Sequence, residues 1–222
     1  MPTQHFEQTE AYILKRHPYR ENHYLLDVFT AEHGRFRAVA RLQTRKNYRM
    51  TDAWSPFHCL KISGQRKKEL ATIWDSSVFI PSQLPPSLLM SASYANELIL
   101  THMPADFPDS HLYCAYRQTI ADPNPSSLRR LENTLLTQLY QMPDIVSEAA
   151  YYRIHHSEYG LAFMASTSSG YPAELVHPFI AGEDTSQHPL CKSLQQTLLR
   201  LYQHDAAHTR DTLSALHKLL QK

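Results

Sequence analysis

Between Gly34 and Thr51 the chain carries six basic residues and no acidic one: Arg35, Arg37, Arg41, Arg45, Lys46 and Arg49. A second cluster, Arg66-Lys67-Lys68, follows. Guanidinium and ammonium groups at this density suit a polyanion, and a phosphate backbone is the commonest one. Tyr48 stands inside the first cluster, and Tyr19 and Tyr24 flank an earlier turn. Aromatic faces interleaved with cations can stack unpaired bases while the cations hold phosphates. The same charges also fit a solvated face or an acidic protein partner.

The charge is local. Residues 1–80 hold thirteen Lys and Arg against eight Asp and Glu; residues 81–222 hold nine against thirteen. The net charge of the 222 residues is only +1. A basic half beside an acidic half predicts two modules with different tasks. Hydrophobic content of 42% is enough for packed cores. No apolar stretch approaches the ~20 residues that span a bilayer, and the polar, acidic start does not read as a secretory signal. Three widely spaced cysteines, Cys59, Cys114 and Cys191, fit free thiols better than a disulfide framework. The expected location is the cytoplasm.

Other chemistry is weakly supported. With five glycines, at 34, 64, 160, 170 and 182, neither a dinucleotide-binding nor a P-loop pattern can be written. No spacing of Ser, His and Asp singles out a triad. His188, Cys191, His204 and His208 match a zinc-finger spacing. One continuous helix through Leu190, Leu194, Leu198 and Leu201 would hold His188 and His204 about 24 Å apart at ~1.5 Å per residue. No metal, no cofactor and no catalytic residue is therefore expected, and the chain does not read as an enzyme.

The elements that must carry the basic residues are strands. Thr9 to Leu14, Tyr24 to Thr30, Arg35 to Arg41, Phe57 to Ser63 and Leu70 to Ser77 have β-rich composition. In the third, Arg35, Arg37, Val39 and Arg41 alternate with Phe36, Ala38 and Ala40. The basic triplet reads as the turn before the last strand. Five short strands in ~75 residues predict a small barrel or sandwich.

After PSQLPPS (81–87) the pattern turns helical, with Leu88, Ala92, Ala95, Leu98 and Ile99 at helical spacing. Further helices are expected over 110–120, 126–140, 188–203 and 209–220, the third capped by Ser126 or Ser127. In that third helix Leu128, Leu131, Leu135 and Leu139 form the core stripe, with Arg129 and Arg130 off it. Tyr151 to Ala165 reads as extended or undecided. The expected class is α+β: a five-stranded barrel or sandwich over 1–80 and an all-helical part over 81–222.

The segment AYILKRHPYRENHYLLDVFTAEHGRFRAVA, with Pro18, Glu21, Leu25, Leu26, Phe29, Thr30, Gly34 and Arg35, resembles the opening of the bacterial recombination mediator family RecO. Trp54-Ser55-Pro56-Phe57, Tyr94-Ala95-Asn96-Glu97-Leu98, Leu128-Arg129-Arg130-Leu131-Glu132 with Leu135-Leu136, and Tyr152-Arg153 to Gly160 are similar to later family segments in order. The resemblance covers about residues 9–165. It departs in three places: Val39 to Arg45 lacks the family's loop glycine, no CxxC pair matches the zinc site of many members, and only Arg210 survives of a C-terminal motif.

The resemblance implies an oligonucleotide/oligosaccharide-binding (OB) barrel and a helical domain that holds the acidic tail of single-strand-binding protein (SSB). It implies binding of single- and double-stranded DNA, annealing of complementary strands, and, with RecR, promotion of RecA loading on SSB-coated DNA. Arg35, Arg37, Arg41, Arg45, Lys46, Tyr48, Arg49, Arg66, Lys67 and Lys68 become the expected DNA contacts. Arg129 and Arg130 match the motif arginines expected at the SSB tail.

Overall fold

The computed structural model describes residues 4–41, 44–45, 48–49, 54, 56–67, 69–157 and 160–203. Five long strands make a closed barrel: β1 (Gln4–Pro18), β2 (His23–Thr30), β3 (Gly34–Arg41), β6 (Cys59–Lys67) and β7 (Leu70–Ile80). A small antiparallel pair, β4 (Thr44–Arg45) and β5 (Tyr48–Arg49), lies between β3 and β6 in sequence. The barrel order is β1-β2-β3-β7-β6, with β6 returning to β1. All contacts are antiparallel except β3 with β7, which run parallel. Five strands closed in this way give an OB-like barrel. Arg66 and Lys67 are strand residues rather than turn residues.

Alternation sorts each strand between inside and outside. On β3, Phe36, Ala38 and Ala40 are buried while Arg37 and Arg41 are exposed. The barrel interior joins these to Phe6, Ala11, Ile13, Leu26, Val28, Leu60, Ile62, Ala71 and Ile73, with Trp54 added. β1 departs from simple alternation: Ala11 to Leu14 are all buried. Ala11 and Ile13 fill the barrel, whereas Tyr12 and Leu14 face the second part of the chain.

That second part opens with a 3₁₀ turn (Pro86–Leu88) and the helices α1 (Leu89–His102), α2 (Ser110–Ala121) and α3 (Pro125–Leu139). The Asp109 carboxylate caps α2 by accepting from the Leu112 N–H at 2.8 Å. Asn124, not Ser126 or Ser127, caps α3: its side chain accepts from the Ser127 N–H, with Pro125 in the first helical turn.

The second part is not all-helical. β8 (Asp144–Ile145), β9 (Tyr151–Ser157), β10 (Gly160–Ser166) and β11 (Tyr171–Pro172) form a sheet of order β11-β9-β10-β8. Tyr152 on β9 and Phe163 on β10 are fully buried and meet edge to face. Two separated apolar anchors on short strands leave no helical period to read. α4 (Ala173–Ile180) follows, then a helix, α5, over 191–203. The expected helix over 209–220 lies outside the described residues. Among those described, no helix is long and apolar enough to cross a membrane.

Barrel and helices share a core. Tyr12, Leu14, Phe29 and Cys59 on the barrel's outer wall pack with residues of α1, α2, α3 and α5. Tyr12 and Phe29 meet Tyr113 and Tyr116 of α2 with ring centroids 5.3–6.0 Å apart. A buried polar link crosses the same junction. The Asn96 amide donates to the Leu14 carbonyl at 3.0 Å and accepts from the Tyr116 hydroxyl at 2.6 Å. Asn96→Ala strands two buried partners, so it should cost about 2–4 kcal/mol of stability. Urea unfolding of the full chain checks this.

Candidate nucleic-acid interface

Because helices cover the wall around Tyr12, Leu14 and Phe29, chemistry at the barrel surface falls to the wall of β3, β7 and β6. Strand register arranges that wall in rows. One row runs Asp27, Arg37, Leu70, Lys67 across β2, β3, β7 and β6. The next runs Leu25, Val39, Thr72, Gln65 and then His5 on β1. A third begins His23, Arg41. Of these residues only Asp27 is buried.

The expected contacts separate into three groups. Arg37 and Arg41 are exposed on β3, and Lys67 is exposed at the end of β6. Arg37 lies 3.6 Å from the Asp27 carboxylate, yet its side chain keeps 65% of its exposure. The buried Asp27 thus holds Arg37 at one point and leaves most of the guanidinium accessible.

Arg35 and Arg66 are committed elsewhere. Arg35 donates from Nε to the Met103 carbonyl at 3.1 Å, and its own carbonyl accepts from the Asp106 N–H at 2.8 Å. Arg66 grips the Asp106 carboxylate with both guanidinium nitrogens, at 2.5 and 2.6 Å, and lies over the Phe36 ring. Their side chains are only 17% and 14% exposed. The loop from Met103 to Phe107 passes so close to the β2–β3 turn that a Cβ on Gly34 would stand 2.2 Å from the Phe107 carbonyl oxygen. Arg35 and Arg66 therefore fasten the helical part to the barrel.

For the third group the structure gives backbone or nothing. Arg45 pairs with Tyr48, and Thr44 with Arg49, in the β4–β5 ladder. The side chains of Arg45, Tyr48 and Arg49 lie outside what is described, as do Lys46 and Lys68.

Around Tyr19, already singled out in the sequence, the structure adds cations that sequence spacing did not bring forward. Lys15, Arg16, His17, Tyr19 and Arg20 are exposed around the β1–β2 hairpin. Arg16 lies over the Tyr24 ring at 5.8 Å and Arg20 over the Tyr19 ring at 5.2 Å. Arg20 and Asn22 hold the left-handed backbone of the turn, at φ 53° and 60°. The register His23 to Arg41 sets this hairpin beside the end of β3. The available signal was charge within an otherwise turn-like stretch, which carries no register information.

Arg129 and Arg130 part company on α3. Arg130 is exposed and lines a cleft of about 570 Å³ together with Asn124, Ser127, Thr134, Asp184 and Ser186. Arg129 is inside: α5 crosses its backbone, with the Gln195 amide donating to the Arg129 carbonyl at 3.0 Å. A helix packed on two sides buries a wider face than one leucine stripe. Arg129 forms a two-point ion pair with Glu132, at 2.6 and 2.8 Å, and Glu132 also accepts from the Tyr94 hydroxyl at 2.6 Å. Burial pushes the Glu132 carboxyl up to about 7, against the opposing pull of the Tyr94 hydroxyl and Arg129. Of the zinc-finger-like set, His188 lies in the bend before α5, Cys191 opens α5, and His204 and His208 lie outside the described residues.

The fold and this wall define an OB-like barrel with a basic face that no described helix covers, backed by a mixed helical and sheet part. Comparison with known proteins agrees. Residues 4–79 match the family model "Recombination protein O N terminal". The chain is 31% identical over 151 residues to the DNA repair protein RecO of Alteromonas mediterranea, covering 65% of this chain and 64% of that protein. It is 32% identical over 146 residues to the RecO of Chromobacterium violaceum, covering 62% and 58%. To the RecO of Marinobacter nauticus it is 33% identical over 115 residues, covering 51% and 47%. The aligned part thus spans between about half and two thirds of these relatives. Residues 4–79 are thus similar to the recombination protein O N-terminal family, and the chain is similar to RecO proteins over part of their length.

The Arg129–Glu132 pair yields a prediction. Glu132 binds its proton more tightly in the folded chain than at its ordinary value of 4.5. The stability tied to it is fully present below about pH 4.5 and is lost as pH rises through about 7. Wild type should lose stability relative to Glu132→Gln between pH 5 and 8 in urea unfolding. Arg129→Ala should cost about 3–5 kcal/mol at pH 8. At pH 5 it should cost less, since Glu132 can then take up a proton.

Proposed function

We propose that this chain acts in DNA repair and recombination by holding DNA on the uncovered barrel wall, without catalysing a covalent reaction. The observation that carries this reading is the placement of Arg37, Arg41 and Lys67 on a wall that the described helices leave open, in a relative of RecO. The ligands are single- and double-stranded DNA. The hairpin cations Arg16 and Arg20 extend the phosphate track at one edge. Arg45, Lys46, Tyr48, Arg49 and Lys68 complete it from sequence. Arg35 and Arg66 drop out as direct contacts because Asp106 and Met103 hold them.

The chain's larger role would be that of its relatives' family: annealing complementary strands and, with RecR, promoting RecA loading on SSB-coated strands. Arg130, exposed beside the polar cleft, is the better candidate for the terminal carboxylate of the SSB tail. Arg129 supports it from within by fixing α3 against α5. Arg130→Ala should then weaken binding of an SSB-tail peptide while leaving naked-DNA affinity unchanged.

Fluorescence anisotropy of a labelled single strand, titrated at several salt concentrations, tests the DNA reading. Arg37→Glu with Arg41→Glu should weaken binding to every sequence. It should reduce the log–log salt slope by roughly 1.4, at ~0.7 per lost phosphate contact. An unchanged slope would remove this wall from the interface. No binding of wild type at low salt would instead assign the basic wall to an acidic protein partner.

A further inference from the structure

Trp74 stands at an irregularity of β7 built by its neighbours. β6 and β7 pair Gly64 with Ile73 and Ser63 with Asp75, which leaves Trp74 as the extra residue of a β-bulge. Bulges re-aim side chains. Gly64 makes this one possible, because a Cβ there would stand 2.4 Å from both the Phe6 ring and the Thr72 carbonyl oxygen. The bulge keeps Trp74 44% exposed, beside the His5 ring at 6.2 Å.

Its position on the wall is informative. The parallel pairing of β3 with β7 ends at Ala40 with Ile73. One residue further along each strand are Arg41 and Trp74, both exposed. Arg41 and Trp74 thus both lie just past the last β3–β7 pair, exposed on their strands. Thr72, one row back, and Lys67 and Arg37, two rows back, continue the same wall. β3, the strand paired with β7, bears the exposed guanidiniums of Arg37 and Arg41. A flat, partly apolar ring next to a cation matches a nucleotide, whose base stacks while its phosphate pairs.

We propose that Trp74 is a base-stacking platform that selects unpaired over paired DNA, an inference that rests on the DNA reading above. In a duplex the bases are already stacked, and only the phosphates can meet this wall. In a single strand a base can lie on the indole while the neighbouring phosphate pairs with Arg41.

The chain supplies its own probe. It has two tryptophans, and Trp54 is 2% exposed, so a ligand on the wall reports through Trp74. Oligo(dT) titrated into the full chain should quench the Trp74 emission, and Trp74→Phe should abolish that signal while keeping affinity within about threefold. Trp74→Ala should lower oligo(dT) affinity by about five- to a hundredfold. Affinity for a duplex of equal length should change less than twofold. Saturating oligo(dT) with no quenching, or equal losses on single strand and duplex, would overturn the stacking role and leave the DNA reading standing. Wild type that binds neither DNA at low salt would overturn both.

Discussion

The architecture depends on the second face of β1. A barrel strand ordinarily buries one face and wets the other, but Ala11 to Leu14 are buried on both. Tyr12 and Leu14 form one side of a core whose other side is α1, α2, α3 and α5. Apolar area removed from water drives that contact at ~25 cal/mol per Å². It has no direction of its own, so polar groups set the orientation: Asn96 reaches the Leu14 carbonyl, and Asp106 takes the Arg66 guanidinium. Once the helices occupy this wall, the β3–β7–β6 wall is the one that the described helices leave open.

The same constraint gives the arginines their separate roles. Arg35, Arg37 and Arg41 share one face of one strand. Arg35 sits where the Met103–Phe107 loop crosses, and its charge is spent on a carbonyl. Arg41, two turns of the pleat from Arg37, lies beyond the reach of the loop and remains exposed. Their identical charges say nothing about this division; their distance from the helical part decides it.

Much of the barrel was legible because alternation is a local signal. Phe36, Ala38 and Ala40 against Arg37 and Arg41 declare inside and outside without reference to any other strand, and the five strands follow. The core stripe of α3 was legible for the same reason, through Leu128, Leu131, Leu135 and Leu139. What failed needed knowledge of a distant neighbour. Arg129 is buried because α5 arrives from more than sixty residues away. The β9–β10 hairpin shows no clean period because its burial comes from α4 and from the shared core rather than from its own alternation. Trp74 gave no signal, since a bulge is a property of two paired strands and only one of them contains Trp74.

This separation of local from non-local information bears on how the wall reads a ligand. In the proposed interface, phosphate contacts from Arg37, Arg41 and Lys67 would not read whether the bases are paired, because they would meet only the backbone. Discrimination needs a group that meets what a duplex hides, the face of a base. On the described wall the indole of Trp74 is a large exposed ring, one residue past the last β3–β7 pair, as Arg41 is on β3. The features that position it, Gly64 and the Ser63–Asp75 register, belong to the rigid closure of the barrel rather than to a loop. A platform fixed in that way loses little side-chain freedom when a base arrives, so more of the stacking energy appears as affinity.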